Sequence, residues 1–135
     1  MRGRALVPGS ACGELLILSE PLSFWGGFDA TSGRITDRHH PQCGVQLTHR
    51  VVVLPGLRGS TSSASVLAEA IRLDTGPAAL GLVVADVMAV VAGLVAAELY
   101  GREVPIVQLA AAQADQLRDG TRVRVTPDGS IAEVD

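Results

Sequence analysis

Apolar and polar residues alternate along this chain in two rhythms. Short β-branched or leucine-rich runs at 14–19 (ELLILS), 33–37 (GRITD) and 49–56 (HRVVVLPG) predict strands, set apart by loops rich in Gly, Pro and Asp. From 62 to 73 the period lengthens. Val66, Ala70 and Leu73, with Leu67 and Ile71 beside them, recur at helical spacing, and the breaker Asp74-Thr75-Gly76-Pro77 stops the helix. A second strand–helix unit follows. A buried strand is predicted at 78–85 and a helix at 87–99, with Asp86 as N-cap and Gly101 just past the end. A strand at 104–109, a short helix in 111–120 ended by Gly120, and a terminal hairpin complete the pattern. In the hairpin Val123 and Val125 point inward while Arg122 and Arg124 point outward. Strand–helix alternation in the middle with β-structure at both ends predicts an α/β domain, its sheet three-layered or barrel-like with flanking helices.

The stretch 80–99 is apolar enough to suggest a membrane span, which needs about 20 such residues. Asp86 inside it would cost about 3 kcal/mol near the bilayer centre. The strand–cap–helix reading satisfies that carboxylate, and the membrane reading does not. Length agrees with one domain over 1–135, without internal repeat or linker.

Composition narrows the function classes. The net charge is -3, and all 11 basic residues are arginines scattered along the chain. No basic stripe or aromatic platform points to nucleic acid. With no lysine, Schiff-base, pyridoxal-phosphate and Walker A mechanisms are excluded. Cys12 and Cys43 lie too far apart for a self-contained zinc or iron–sulfur site and are expected to be buried structural thiols. The N-terminus has no long apolar stretch behind its arginines, so a cytoplasmic protein with reduced thiols is expected.

Three clusters could carry chemistry. Gly59, Ser60, Thr61, Ser62 and Ser63 stand together where the 49–56 strand turns into a helix. Backbone N–H groups at a helix N-terminus favour a carboxylate, a phosphate or a developing alkoxide, and Arg58 can clamp a carboxylate. One of these hydroxyls suffices to cap the helix, so capping explains only part of the cluster. The second cluster is the glycine-hinged loop 21–41, which holds Phe24, Trp25 and Phe28 around Gly26 and Gly27. Such a load either packs over the sheet or meets a protein partner. The third comprises Asp37, His39 and His40. Adjacent histidines on a strand face opposite ways, so no two-histidine metal site is expected, and a hydrogen-bonded structural role is the simplest account. Glu69 and Arg72 are expected to pair across one helical turn.

The motifs SFWGG-D----GR--D--HP, LPG-RGS and EAIR---PAA, in this order, resemble the small subunit or swivel domain of aconitase X-type hydro-lyases. The resemblance spans nearly the whole chain and implies a swivelling β/β/α fold. It also implies a cytoplasmic heterodimer with a separate large subunit that carries an iron–sulfur cluster; no metal is expected on this chain. Members of this family dehydrate small hydroxy acids, either cis-3-hydroxy-L-proline or mevalonate 5-phosphate. Their catalytic serine, a proton acceptor, falls on Ser60. Substrate contacts fall on Arg58, Gly59, Thr61 and Ser62, and an interface or active-site loop falls on Ser23, Phe24, Trp25, Gly26, Gly27, Asp37 and His40. The arginine-only basic set suits a GC-rich bacterium and tilts the substrate toward cis-3-hydroxy-L-proline. Two other classes remain open: a phosphohistidine carrier using His39 or His40, and a non-catalytic regulatory subunit.

Overall fold

A computed structural model describes residues 1–59 and 61–134. In chain order the elements are β1 (Arg4–Val7), β2 (Ala11–Ile17), α1 (Phe24–Gly27), β3 (Phe28–Asp29), β4 (Arg34–Ile35), β5 (Val51–Leu54), α2 (Ser63–Arg72), β6 (Ala79–Leu82), α3 (Val87–Tyr100), β7 (Ile106–Gln108), α4 (Ala111–Ala114), β8 (Arg122–Val125) and β9 (Ile131–Glu133). Seven strands form one sheet in the order β1-β7-β6-β5-β2-β8-β9, while β3 and β4 make a separate two-stranded ribbon. The four central strands are parallel, and β1 and the β8–β9 hairpin flank them antiparallel. This curled half-barrel with its helices is the expected swivelling β/β/α architecture.

Alternation along β5 explains why the sheet is buried on both sides. Val52 and Leu54 point into the cluster that contains α2 and α3. Val51 and Val53 point the other way, toward Leu15, Val107, Val123, Val125 and Ile131. The crossovers β5–α2–β6 and β6–α3–β7 step across the sheet in one direction. Such crossovers are right-handed, so both helices lie on the same face. Asp86 caps α3 as expected: its Oδ1 accepts from the N–H groups of Met88 and Ala89 at 2.8 and 3.1 Å. Gly101 closes that helix in the left-handed region, at φ 63°. Glu69 pairs with Arg72 across a turn of α2. No described helix is long and apolar enough to cross a membrane.

Several expectations change. The buried face of α2 is Ser63, Leu67, Ala68, Ala70 and Ile71. Leu73 is exposed because the helix ends at Arg72 and the chain turns away there. The short helix α4 stops at Ala114, and Gly120 instead serves the turn into β8, at φ 85° with its N–H donating to the Leu15 carbonyl. Both cysteines are exposed rather than buried. Cys12 lies on the solvent side of β2, where its Sγ accepts from Arg124 Nε, and Cys43 lies in the turn after Pro41.

Candidate active-site loop

The connection from β5 to α2 leaves the C-terminal end of a central parallel strand, where open α/β sheets present their ligand sites. Gly56 is buried there, and a Cβ on it would meet Val84 Cβ at 3.4 Å. Residues 20–25 run beside this loop. Leu22 N–H donates to the Gly56 carbonyl at 3.3 Å, and Arg58 N–H donates back to the Leu22 carbonyl at 3.1 Å. Leu22 and Leu57 form an isolated parallel bridge, so the aromatic loop and the hydroxyl bend are stitched together through the backbone.

Gly59 sits at the crossing. Its φ is +112°, and a Cβ there would come within 2.6 Å of Ser23 Oγ and 3.5 Å of Ser63 Oγ. Glycine is required because the backbone adopts a conformation closed to side chains and passes close to two hydroxyls. Ser23 Oγ donates to the Trp25 carbonyl at 2.7 Å. Ser63 begins α2, is 4% exposed, and its Oγ has no hydrogen-bond partner among the described residues. The residue at the helix N-cap, Ser62, makes no side-chain capping bond. Thr61 is exposed. Ser60 lies outside the described residues.

Arg58 is exposed, its Nη2 4.0 Å from Glu20 Oε1. A guanidinium held this loosely in water gains little from its partner and stays available to another carboxylate. Glu20 was not singled out from the sequence, where nothing marks it as lying across from Arg58.

The structure divides the interface loop. Phe24 and Phe28 are core residues, edge to face with ring centroids 5.0 Å apart. Phe24 is thus packed into the core, and Gly27 is buried with it. Gly26, at φ +86°, is exposed, and Trp25 beside it is 58% exposed. The kink at Trp25 and Gly26 turns one aromatic ring out while its neighbours pack in. Asp37 is half-buried near Gly27 and accepts from His39 N–H through Oδ1 at 2.9 Å. His40 is buried: Nδ1 accepts from Gln42 N–H at 3.0 Å, which leaves the ring hydrogen on Nε2 to donate to the Glu20 carbonyl at 3.2 Å. Both ring nitrogens are thus used, and the buried His40 ring ties Glu20 to Gln42.

A separate cleft of about 330 Å³ opens on the other side of the sheet, lined by Ile17, Val53, Pro55, Val83, Ala111 and Ala114 among others. It does not include Arg58 or Gly59. Its wall is mostly apolar, with Ser19 and Asp115 as its polar members.

Comparison with known proteins places these features in a family. The model of the aconitase X swivel domain matches residues 1–134. A cis-3-hydroxy-L-proline dehydratase of Pseudomonas aeruginosa is 48% identical over 103 residues, which is 76% of this chain and 18% of that protein. The phosphomevalonate dehydratase small subunit of Pyrococcus furiosus is 33% identical over 135 residues, covering 100% of this chain and 93% of its own length. The chain therefore spans about a fifth of the hydroxyproline dehydratase and nearly all of the small subunit. The crystal structure of Thermococcus kodakaraensis aconitase X in its holo-form superposes with a TM-score of 0.87 at 26% identity, covering 99% of this chain and 97% of that one.

Proposed function

Because the chain belongs to the aconitase X swivel-domain family, we propose that it is the small subunit of a hydro-lyase that dehydrates a small hydroxy acid. The observation that carries this reading is the family match over residues 1–134, on a chain whose Arg58-Gly59 loop joins a central strand end to a helix N-terminus. In this reading Ser60 is the proton acceptor. A serine hydroxyl is a poor base in water, but the N-terminus of the ten-residue helix α2 and the Arg58 guanidinium both favour its alkoxide. The alkoxide takes the proton α to the substrate carboxylate, while Arg58 and the N–H groups of the Gly59–Ser62 loop orient that carboxylate.

The partner is a large aconitase X subunit. The relatives named small subunits imply such a companion, and the exposed Trp25 and Val84 beside this loop give it an apolar surface to cover. We assign the iron–sulfur cluster to that partner; among the described residues no group of three or more His, Cys, Asp or Glu side chains is placed to hold a metal. For substrate we favour cis-3-hydroxy-L-proline, on the 48% identity with the Pseudomonas enzyme. A second reading, mevalonate 5-phosphate, has in its favour the end-to-end match with the Pyrococcus small subunit.

The test is reconstitution with the large subunit. The chain alone should turn over neither acid, and the complex should dehydrate one of them. In the complex, Ser60→Ala should lower the rate roughly 10²–10⁴-fold, the scale of a removed proton acceptor. If that variant still exchanged the substrate α-proton with solvent at the wild-type rate, the base would lie elsewhere.

A further inference from the structure

The Arg58 guanidinium already faces one carboxylate. Among the described residues its only ion-pair partner is Glu20, with Nη2 4.0 Å from Oε1. Both side chains are more than half exposed, but the backbones that carry them are fixed. The Glu20 carbonyl accepts from the buried His40 ring at 3.2 Å, and the Ser19 N–H donates to Gln42 Oε1 at 3.0 Å. Gln42 Nε2 in turn donates to the Ile17 carbonyl at 2.9 Å. On the other side of Glu20, Leu22 bonds to Gly56 and Arg58 bonds to Leu22 through their main chains. The meeting of Glu20 with Arg58 is therefore set by anchored backbone on both segments, not by a chance crossing of two long side chains.

The distance of that pair matters as much as its placement. A charge-assisted arginine–carboxylate bond closes to about 2.7–2.9 Å, and at 4.0 Å no hydrogen bond forms. Water screens an exposed pair of this kind, so a second carboxylate displaces it at small cost. Resting on the proposal that Arg58 orients the substrate carboxylate, we infer that Glu20 is a built-in competitor for that guanidinium. It occupies Arg58 in the empty subunit and yields it when the hydroxy acid enters. The two occupants are of one chemical class, and the planar guanidinium fork offers its bidentate edge to one carboxylate at a time. Glu20 thus sets how tightly the acid is held, not how fast it reacts.

Glu20→Gln in the reconstituted complex tests this, assayed with whichever of the two hydroxy acids the wild type dehydrates. Glutamine keeps the length of the side chain and removes its charge. KM should fall roughly 2- to 5-fold, the scale of one exposed ion pair. The rate at saturation should stay at the wild-type value, as for a change in binding that ground state and transition state share. Arg58→Gln alone should raise KM, and adding Glu20→Gln to it should change KM no further. An unchanged or raised KM in Glu20→Gln would overturn the inference. So would an equal fall of KM in the two backgrounds, because Glu20 would then repel the substrate through its charge alone and not by holding Arg58. If Arg58→Gln raises KM while Glu20→Gln changes nothing, only this inference fails; if Arg58→Gln leaves KM unchanged, the reading of Arg58 beneath it fails.

Discussion

Replacing Gly59 by alanine should damage the loop by an amount that can be divided into two parts. The first is conformational. At φ +112° an alanine is strained by about 1–3 kcal/mol unless the backbone rotates. The second is steric, because the new methyl would stand 2.6 Å from Ser23 Oγ. That oxygen can swing away only by giving up its 2.7 Å bond to the Trp25 carbonyl, a loss of about 0.5–1.5 kcal/mol. Alanine also restricts the unfolded chain, which returns roughly 0.4–1 kcal/mol. The net expectation is a destabilisation of about 0.5–4 kcal/mol. It is read from urea denaturation midpoints of Gly59→Ala against wild type, with the slope unchanged. Ser23→Ala should then separate the parts. In that background the steric share disappears and the conformational share remains, so Gly59→Ala should cost less there than in the wild type. Coincident midpoints for wild type and Gly59→Ala would refute both parts. Equal costs in the two backgrounds would refute the contact with Ser23.

Association should be visible at Trp25, whose 58% exposed ring should change its emission when the large subunit binds; Val87→Asp on the exposed apolar stripe of α3 should weaken that association at least tenfold. An unchanged spectrum and unchanged affinity would place the interface elsewhere. Asp128 should shape the acid limb of stability. The Thr126 hydroxyl and the Ser130 N–H hold its carboxyl down to about 2, below its value in the unfolded chain, so its contribution is present above about pH 4 and is lost as pH falls through about 2. Asp128→Ala should flatten the pH dependence in that window, and an unaltered acid titration of stability would contradict the assignment.

What the sequence made legible was the local physics. The strands read as apolar runs because both faces of the parallel sheet are buried, and α3 was bounded correctly because its signals, Asp86 and Gly101, lie next to its ends. The phase of α2 was harder. Leu73 looked like core but lies past the last turn, whereas Ser63 looked like a cap but lies in the buried phase of Leu67, Ala70 and Ile71. The spacing 63, 67, 70, 71 was the available signal, and a polar residue at its head obscured it. The pairing of residues 20–25 with 56–59 could not be read, because nothing local marks Leu22 as the neighbour of Leu57 or Ser23 as that of Gly59. The cysteines were misplaced for a similar reason. Small apolar residues are usually buried, but Cys12 falls on the outward phase of β2 and Cys43 falls in a turn.

Helix α3 carries the apolar surface that the proposed large subunit would cover. Its first eleven residues contain no charge, and apolar side chains occupy its whole circumference. A helix of that kind is expected to be covered on all sides. Here the small residues Ala89, Ala92, Gly93 and Ala96 pack inward, close enough that a Cβ on Gly93 would meet Ile106 and Val7 at 3.1 and 3.2 Å. Of the larger ones Val90 and Val95 pack against the core, but Val87 is 71% exposed, and Val91 and Leu94 continue its stripe at spacings of four and three. Val84, at the start of the same surface, packs on Gly56 of the β5–α2 loop. The uncovered apolar stripe therefore begins at the candidate site and leads away from it. A folding requirement alone would place the large side chains inward and polar ones outward. The exposed stripe is what a second subunit closing over the loop would use, and it ties the chemistry expected at the helix N-terminus of α2 to the surface that would exclude water from it.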